Sequence, residues 1–388
     1  MVSISILYEQ QWPPHNMQSQ SLRHTQALMY YDAAMRALRS VRDETVVLLT
    51  CILFVCIEFL LGSPQLATDH CRHGILMLNA YGDASTVARQ VLAPIYTRMS
   101  IFPYFFGSTV STFPPILGPS LQMQEDFYSF RDAQQSLDEL LSQSVRFVRK
   151  AGEHRSGRLM HSAIPSKLRR EQNVLQALLE RWNSVLQRFM IKETTQKAYY
   201  ALQIRYLVAK IWTSTALDRS ELAFDRHWDH FRIIRDFAAE LVDSESAESG
   251  RRTRASFTFD MGFLPLLYFV VIKCRKLKLR TSALSLMVEL AAEKEGLWDV
   301  DTMSVVGTRI IEIEHGVSLT NGDSDLTHIE LLSVLPAESR VWDSMLGPET
   351  CSLNEQGNLI RERKATFLFQ ASNGEFVRQN ERLFFCHT

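Results

Sequence analysis

His70, Cys71 and His73 carry the first atoms that could do chemistry: two imidazoles at i and i+3 on one helix face with a thiol beside them. Zinc binds such atoms, but a site needs a third and a fourth ligand, and the neighbouring sequence offers none. His227-Trp-Asp-His230 repeats the spacing without the H-E-x-x-H order that supplies two ligands and a base. Both pairs therefore read as packing or capping residues. Cys71 and Cys386 each adjoin a histidine, yet neither stands in a nucleophile signature, and there is no G-x-S-x-G elbow. Neither G-x-G-x-x-G nor a P-loop pattern occurs. Glu58, Glu293 and Glu295 are the acidic candidates. Glu58 lies in a strongly apolar run, where an unpaired carboxylate is costly, so it is expected to bond to a neighbouring helix rather than to catalyse. No catalytic residue is assigned and the chain is read as a non-enzyme.

Cationic chemistry is denser. Lys273, Arg275, Lys276, Lys278 and Arg280 form K-x-R-K-x-K-x-R directly after an apolar helix. Arg251, Arg252 and Arg254 make a second group, and Arg146, Arg149 and Lys150 a third. Such patches contact phosphate or are read for nuclear import. The bland alternative is a solvated turn whose cations favour the preceding helix C-terminus.

These groups must be positioned by a chain of 388 residues, long enough for one large domain or two smaller ones. Apolar residues make up 46%, charged residues 22%, and the net charge is −1, so no chain-wide basic field exists to hold nucleic acid. The six cysteines include no C-x2-C pair and fit a reducing compartment, where thiols pack as small hydrophobes. Met1–Trp12 lacks the basic and apolar regions of a signal peptide. Val46–Leu61 is apolar over 16 residues but contains Glu58 and ends at Gly62-Ser63-Pro64. It is expected to be a buried core helix rather than a span, leaving no membrane association.

Helical periodicity dominates the rest. Leu28, Tyr31, Met35 and Leu38 form one amphipathic face; Leu175, Leu178, Trp182, Val185 and Phe189 a second. Tyr200, Ile204, Leu207 and Ile211 form a third, and Phe224, Trp228, Phe231, Ile234, Ala238 and Leu241 a fourth. Asp218-Arg-Ser-Glu221 reads as a capping signature restarting a helix between the last two, which should then lie antiparallel. Breaks fall at 103–120, rich in proline and glycine, and at 242–256, read as a flexible loop. Near the C-terminus, Ala365–Gln370 alternates loosely and Asn373-Gly374 is a hairpin signal, with partner strands from Glu375–Arg378 and Leu383–Phe385. The fold expected is mainly α, an irregular array of antiparallel helical hairpins with a small C-terminal β-hairpin. The divisions are a nondescript segment 1–20, a helical region 21–316 and an extension 317–388.

Two stretches resemble the regulatory domain that follows the zinc binuclear cluster in fungal transcription factors. The first runs from Tyr30-Tyr31-Asp-Ala-Ala-Met35 through the apolar Val46–Leu61 to His70-Cys-Arg-His-Gly74-Ile-Leu76. The second runs from Phe257-Thr-Phe-Asp-Met-Gly262-Phe-Leu-Pro265-Leu-Leu-Tyr268 through Cys274-Arg275 and Arg280-Thr-Ser-Ala283-Leu284 to Glu295-Gly296-Leu297-Trp298-Asp299. Their order resembles the family's "YY-x-A" helix, apolar helix ending near a glutamate, "H-x-x-x-G-x-x-L" helix, proline-containing helix, "CR" turn, "R-x-x-A-L" helix and "EGLWD" helix end. The resemblance covers residues 25–316 and gives structural roles to Tyr31, Glu58, His70, Gly74, Pro265, Cys274, Arg275, Arg280, Gly296 and Trp298.

The family's DNA reader needs six closely spaced cysteines around two zinc ions. Here 4, 14, 202, 76 and 34 residues separate successive cysteines, so that cluster is missing and no cofactor is assigned. What the resemblance implies is the truncated, regulatory part of a nuclear transcription regulator. It would act through protein partners, a homodimer or a small effector, and reach DNA only indirectly or through a missing module. A pocket lined by Phe257, Phe263, Tyr268 and Trp298 is one place for an effector. The alternatives are a helical interaction adaptor unrelated to transcription and a small-molecule enzyme on a helical scaffold.

Overall fold

The computed structural model describes residues 1–9, 17–81, 85–117, 125–190, 196–249, 255–319, 335–353 and 359–385. It is mainly helical with a small C-terminal antiparallel sheet. The chain forms two compact units. The first takes Met1–Leu217, Arg254–Met261 and Lys294–Leu297; the second takes Asp218–Thr253, Gly262–Glu293 and Trp298–Thr388. These units do not coincide with the division at 20 and 316 expected from sequence, because the chain passes between them several times.

The first unit opens with α1 (Val2–Glu9), α2 (Met17–Leu38), α3 (Glu44–Leu61) and α4 (Pro64–Tyr81). A π turn at Ala88–Leu92 leads into α5 (Ala93–Met99), and a 3-10 turn at Phe102–Phe105 follows. α6 (Phe130–Arg155), α7 (Ser166–Met190) and α8 (Gln196–Thr215) pack together as a three-helix group. Two later segments, β1 (Phe257–Thr258) and β2 (Lys294–Glu295), pair in parallel and complete the unit.

α3 is set by local chemistry at both ends. The Asp43 side chain accepts from the Thr45 and Val46 amides at 2.9 and 3.2 Å. At the other end Gly62 adopts the left-handed conformation, φ 70°, and Ser63 N–H donates to Glu58 O at 2.9 Å. Between the caps α3 is apolar on all sides and, though 18 residues long, half of it is buried within the protein. α2 behaves differently. Of the expected face, Tyr31 is buried, Leu38 is half-buried, and Leu28 and Met35 are exposed; among its described side chains only Ala27 joins Tyr31 inside.

The three-helix group is anchored by Trp182, wholly buried, whose indole N–H donates to Ala133 O at 2.9 Å. Its face follows the periodicity, with Leu179 taking the deepest place and Leu178 half-buried. The proline-rich break after Ile101 has no α-helix in its described part, residues 103–117. Arg146 ties it to α6 by donating to the Tyr104 hydroxyl and, at 3.1 Å, to Phe113 O.

In the second unit a 3-10 turn (Glu221–His227) leads into α9 (Trp228–Ser249). Asp218 does not cap that turn. Ser220 does, accepting from Leu222 N–H at 3.2 Å, while Asp218 pairs with Arg226 at 2.6 Å. The antiparallel partnership expected of α8 and α9 falls across the boundary between units at Leu217 and Asp218. The break expected over 242–256 also shifts: α9 continues through Ser249, and residues 250–254, with Arg251, Arg252 and Arg254, lie outside the described residues. Acidic and small residues over 242–249 retain enough helix propensity to extend a packed helix.

α10 (Leu264–Lys273) starts with Pro265 in its first turn, where a missing amide costs nothing. α11 (Leu277–Leu290) follows across Cys274, which is extended. EGLWD is not a helix end. Glu295 belongs to β2, Gly296 turns with φ 59°, and Trp298–Asp299 is a short strand, β3, whose Asp299 side chain caps α12 (Val300–His315) through Thr302 N–H at 2.8 Å. The expected hairpin is two strands of a three-stranded antiparallel sheet, β4 (Val341–Leu353), β5 (Leu359–Gln370) and β6 (Phe376–Phe385), with β5 central. Gly374, φ 85°, makes the turn as read from sequence. Val341, Ala365, Phe367, Leu383 and Phe385 turn one face of the sheet onto Val306 and Ile310 of α12, which closes this unit's core.

Candidate functional site

Three residues singled out in the N-terminal helices, Tyr31, Glu58 and His70, meet around one buried carboxyl group. Glu58 projects from α3 with no exposed surface. Tyr31 of α2 donates its hydroxyl hydrogen to Glu58 Oε1 at 2.6 Å, and the Tyr31 hydroxyl oxygen lies 2.7 Å from His70 Nε2 of α4. With the phenol donating to the acid, its lone pair accepts from His70 Nε2–H, which fixes the imidazole tautomer. Phe54 packs edge-on to the Tyr31 ring at 5.0 Å and to the His70 ring at 5.1 Å. Glu58 Oε2 is buried with no hydrogen-bond partner.

One turn along α4 from His70, Gly74 faces Tyr96 of α5. A Cβ at Gly74 would fall 2.2 Å from the Tyr96 hydroxyl, which donates to Leu48 O at 2.7 Å. Glycine is needed here for close approach, not for backbone freedom. Cys71 packs beneath, its thiol toward Met99 O at 3.7 Å. Burial drives the local protonation equilibria. It raises Glu58, against the lowering effect of the Tyr31 and Ser63 hydroxyls, and it raises Tyr31 and Cys71. It lowers His70, helped by His73, against the charge of Asp69. The assembly is therefore held by hydrogen bonds between groups that favour their neutral forms.

The cationic patch after α10 is taken apart by the structure. Arg280 is fully buried and donates to Val271 O at 2.8 Å and to Glu314 Oε2 of α12. Arg275 reaches Glu221 at 3.0 Å and Glu314 at 3.3 Å, and Lys273 reaches Glu221 at 3.0 Å and Trp342 O at 2.8 Å. Glu314 Oε1 also accepts from Val341 N–H at 2.7 Å. Beside this network, Arg340 is buried and clamps Asp225 with two bonds of 2.8 and 2.7 Å. Three of the five cations in the proposed phosphate or import patch are thus internal, and only Lys276 and Lys278 are exposed. Lys276 lies over the Trp228 ring at 5.4 Å. Local sequence shows the cations but not Glu221 and Glu314, which come from far along the chain. Glu314, Asp225 and Arg340 were missed altogether. The available signal for Glu314 was its place on the apolar stripe Val306, Ile310, Ile311 of α12, where a carboxylate needs a buried partner.

The other candidates have structural surroundings. Arg149 lies over the Phe105 ring at 5.6 Å and Lys150 pairs with Glu171 at 2.5 Å. His227 and His230 are 3.3 Å apart through Nδ1 atoms, with Arg226 donating to His227 Nε2 at 3.3 Å. Glu293 is exposed and Glu295 buried. Phe257 belongs to the first unit, whereas Phe263, Tyr268 and Trp298 belong to the second. Cys386 lies outside the described residues. Among the described residues no group of three or more His, Cys, Asp and Glu side chains is gathered to hold a metal ion. Of the described cysteines, Cys51 and Cys56 share α3, Cys71 lies on α4, Cys274 follows α10 and Cys351 is exposed on β4. No family model, curated protein or solved structure matches the chain.

Proposed function

We propose that this chain is the regulatory, effector- or partner-binding part of a transcription regulator of the fungal zinc-cluster type, without a DNA reader of its own. It is a nuclear, non-enzymatic protein in this reading, and protein partners or a small effector shift it between conformations of different activity. The observation that carries the reading is the meeting of Tyr31, Glu58 and His70 around one centre. These positions stand on three successive helices of the first resembling stretch, and they build a single assembly, with Gly74 one turn further along α4 letting Tyr96 approach closely. Cys274, Arg275 and Arg280, picked out in the second stretch, likewise adjoin one ion network.

Two measurements on the whole chain test the proposal. Joined to a heterologous DNA-binding domain in a fungal host, it is expected to raise or lower a reporter and to enter the nucleus. An unchanged reporter from a protein that is expressed and nuclear would sink the regulatory role. Purified chain incubated with a random DNA library at physiological salt is expected to select no sequence; tight, sequence-specific binding would overturn the missing reader.

A further inference from the structure

The place taken by Tyr31 is built as a receptor for its side chain. A flat ring lies edge-on to Phe54 at 5.0 Å, with the His70 ring 6.3 Å away and inclined at 63°. At the ring's far end one oxygen both donates to a carboxylate and accepts from an imidazole, at 2.6 and 2.7 Å. Phenols alone among common side chains and small metabolite fragments combine an aromatic body with such a donor–acceptor tip.

The tyrosine that fills the place is weakly held by the rest of its helix. Of the described α2 side chains only Ala27 and Tyr31 are buried, and Leu22 and Met29 are 74% and 67% exposed. The Arg23–Glu9 pair between α2 and α1 is 3.6 Å long and exposed, so it contributes little. An element with so few buried contacts belongs to the least stable part of a fold. The receptor is also incompletely used. Glu58 is wholly buried, and Oε2 meets no partner at hydrogen-bond geometry; the Ser63 hydroxyl acts on the carboxyl, and Tyr31, with its single hydroxyl, serves only Oε1.

We infer that the Phe54–Glu58–His70 slot is a binding site for small phenols, occupied by the chain's own Tyr31, and that a free phenol displaces Tyr31 and releases α2. The preferred ligand carries a second hydroxyl ortho to the first, because the second hydroxyl of a catechol reaches Glu58 Oε2 and can accept from it when the acid is protonated or donate to it when ionised. This deepens the regulatory reading by naming the effector class, and it rests on that reading only for its purpose; the binding itself needs no transcription. Release of α2 uncovers the slot and frees a helix whose outward side carries Leu22 and Met29.

Hydrogen exchange of the purified full chain tests it with 4-methylcatechol, p-cresol and toluene at millimolar concentration. With 4-methylcatechol, exchange over 21–38 is expected to rise while exchange over 54–70 falls. p-Cresol should do the same at higher concentration, and toluene should do neither. In Tyr31→Ala the internal competitor is gone. If α2 is open in roughly 0.1–10% of wild-type molecules, affinity for p-cresol in the variant should rise about 10- to 1,000-fold. Toluene matching p-cresol, or 21–38 exchange unchanged at ligand levels that saturate Tyr31→Ala, would overturn the inference. A p-cresol effect stronger than that of 4-methylcatechol would overturn the role given to Oε2. Should Tyr31→Ala not fold, the wild-type exchange pattern decides alone. No reporter enters these measurements, so the transcriptional reading and the phenol site can fail separately.

Discussion

Glu58 in the first unit and Glu314 in the second are both glutamates sealed inside helical packing, and their surroundings are opposite. Glu58 accepts from a phenol whose oxygen in turn meets an imidazole, no cation is bonded to it, and burial raises its affinity for a proton. Glu314 faces Arg275 and Arg280, and burial lowers the Arg280 guanidinium while Glu314 opposes that shift. An arginine in contact with a carboxylate stays ionised, so the second centre is a set of fixed charges. The first can change its protonation within the same hydrogen bonds. A neutral polar centre is suited to exchange partners; an ionic one is suited to hold elements in register.

The largest test of that contrast is Glu314→Ala. It strands two buried guanidinium groups and the Val341 amide, and is expected to cost about 3–5 kcal/mol in denaturant unfolding. A loss below about 1 kcal/mol would mean the network is not the keystone of its unit.

Asp138 of α6 sharpens the comparison, because it too faces arginines inside the first unit. Its oxygens are 3.7 Å from Arg98 and 3.8 Å from Arg205, too long for tight pairing, and burial prevails, pushing the carboxyl up to about 6. A carboxyl held above its unfolded value of 3.8 binds its proton more tightly in the folded chain. The stability it confers is complete below roughly pH 4 and is lost as pH rises through about 6. Relative to Asp138→Asn, the wild type should lose about 3 kcal/mol between pH 4 and pH 7, measured by unfolding at each pH. A difference independent of pH would show that the arginines, not burial, govern Asp138.

Glu58→Gln should be far milder than Glu314→Ala, within about 1 kcal/mol of wild type at neutral pH, because an amide keeps an acceptor for Tyr31. Its sign should move with pH. Glu58 is raised in the folded chain, so its contribution falls as pH climbs above the ordinary carboxylate range, and the glutamine variant gains on wild type in the same direction. A cost equal to that of Glu314→Ala would erase the distinction between the two centres. The smallest effect is expected at Lys276→Ala, about 0.5–1 kcal/mol, followed through Trp228 fluorescence, since the cation lies over a ring that is 47% exposed.

What the sequence made legible was local. The apolar run to Gly62-Ser63-Pro64 gave α3 and its stop, and Asn373-Gly374 gave the turn between β5 and β6, because caps and turns are decided by neighbouring residues. β4 went unread because Gly347 and Pro348 look like breakers, and they are tolerated at the register shift of an edge strand. Asp218-x-x-Glu221 looked like a cap because its spacing suits one, while Glu221 is spent on Lys273 and Arg275, out of local view. Of the candidate site, Tyr31, Glu58 and His70 were legible one by one; their meeting was not, since nothing within a helix states which neighbour it packs against. The cationic run after α10 left its partners unread for the same reason. Periodicity shows which side of a helix is inside, and charge shows only what must be neutralised there.

The interleaving of the two units has a consequence for how the protein is made. The first unit is incomplete until β2, at Lys294–Glu295, has left the ribosome, and by then α9, α10 and α11 of the second unit have already emerged. Helices α1 to α8 are therefore all synthesised before the last segments of their own unit, with elements of the other unit made in between. A contiguous fragment ending at Leu217 removes the paired strands that belong to the first unit, and one starting at Asp218 carries them without their helices. Any C-terminal truncation that stops short of Lys294 thus removes parts of both units at once, and substitutions within the intact chain are the cleaner instrument.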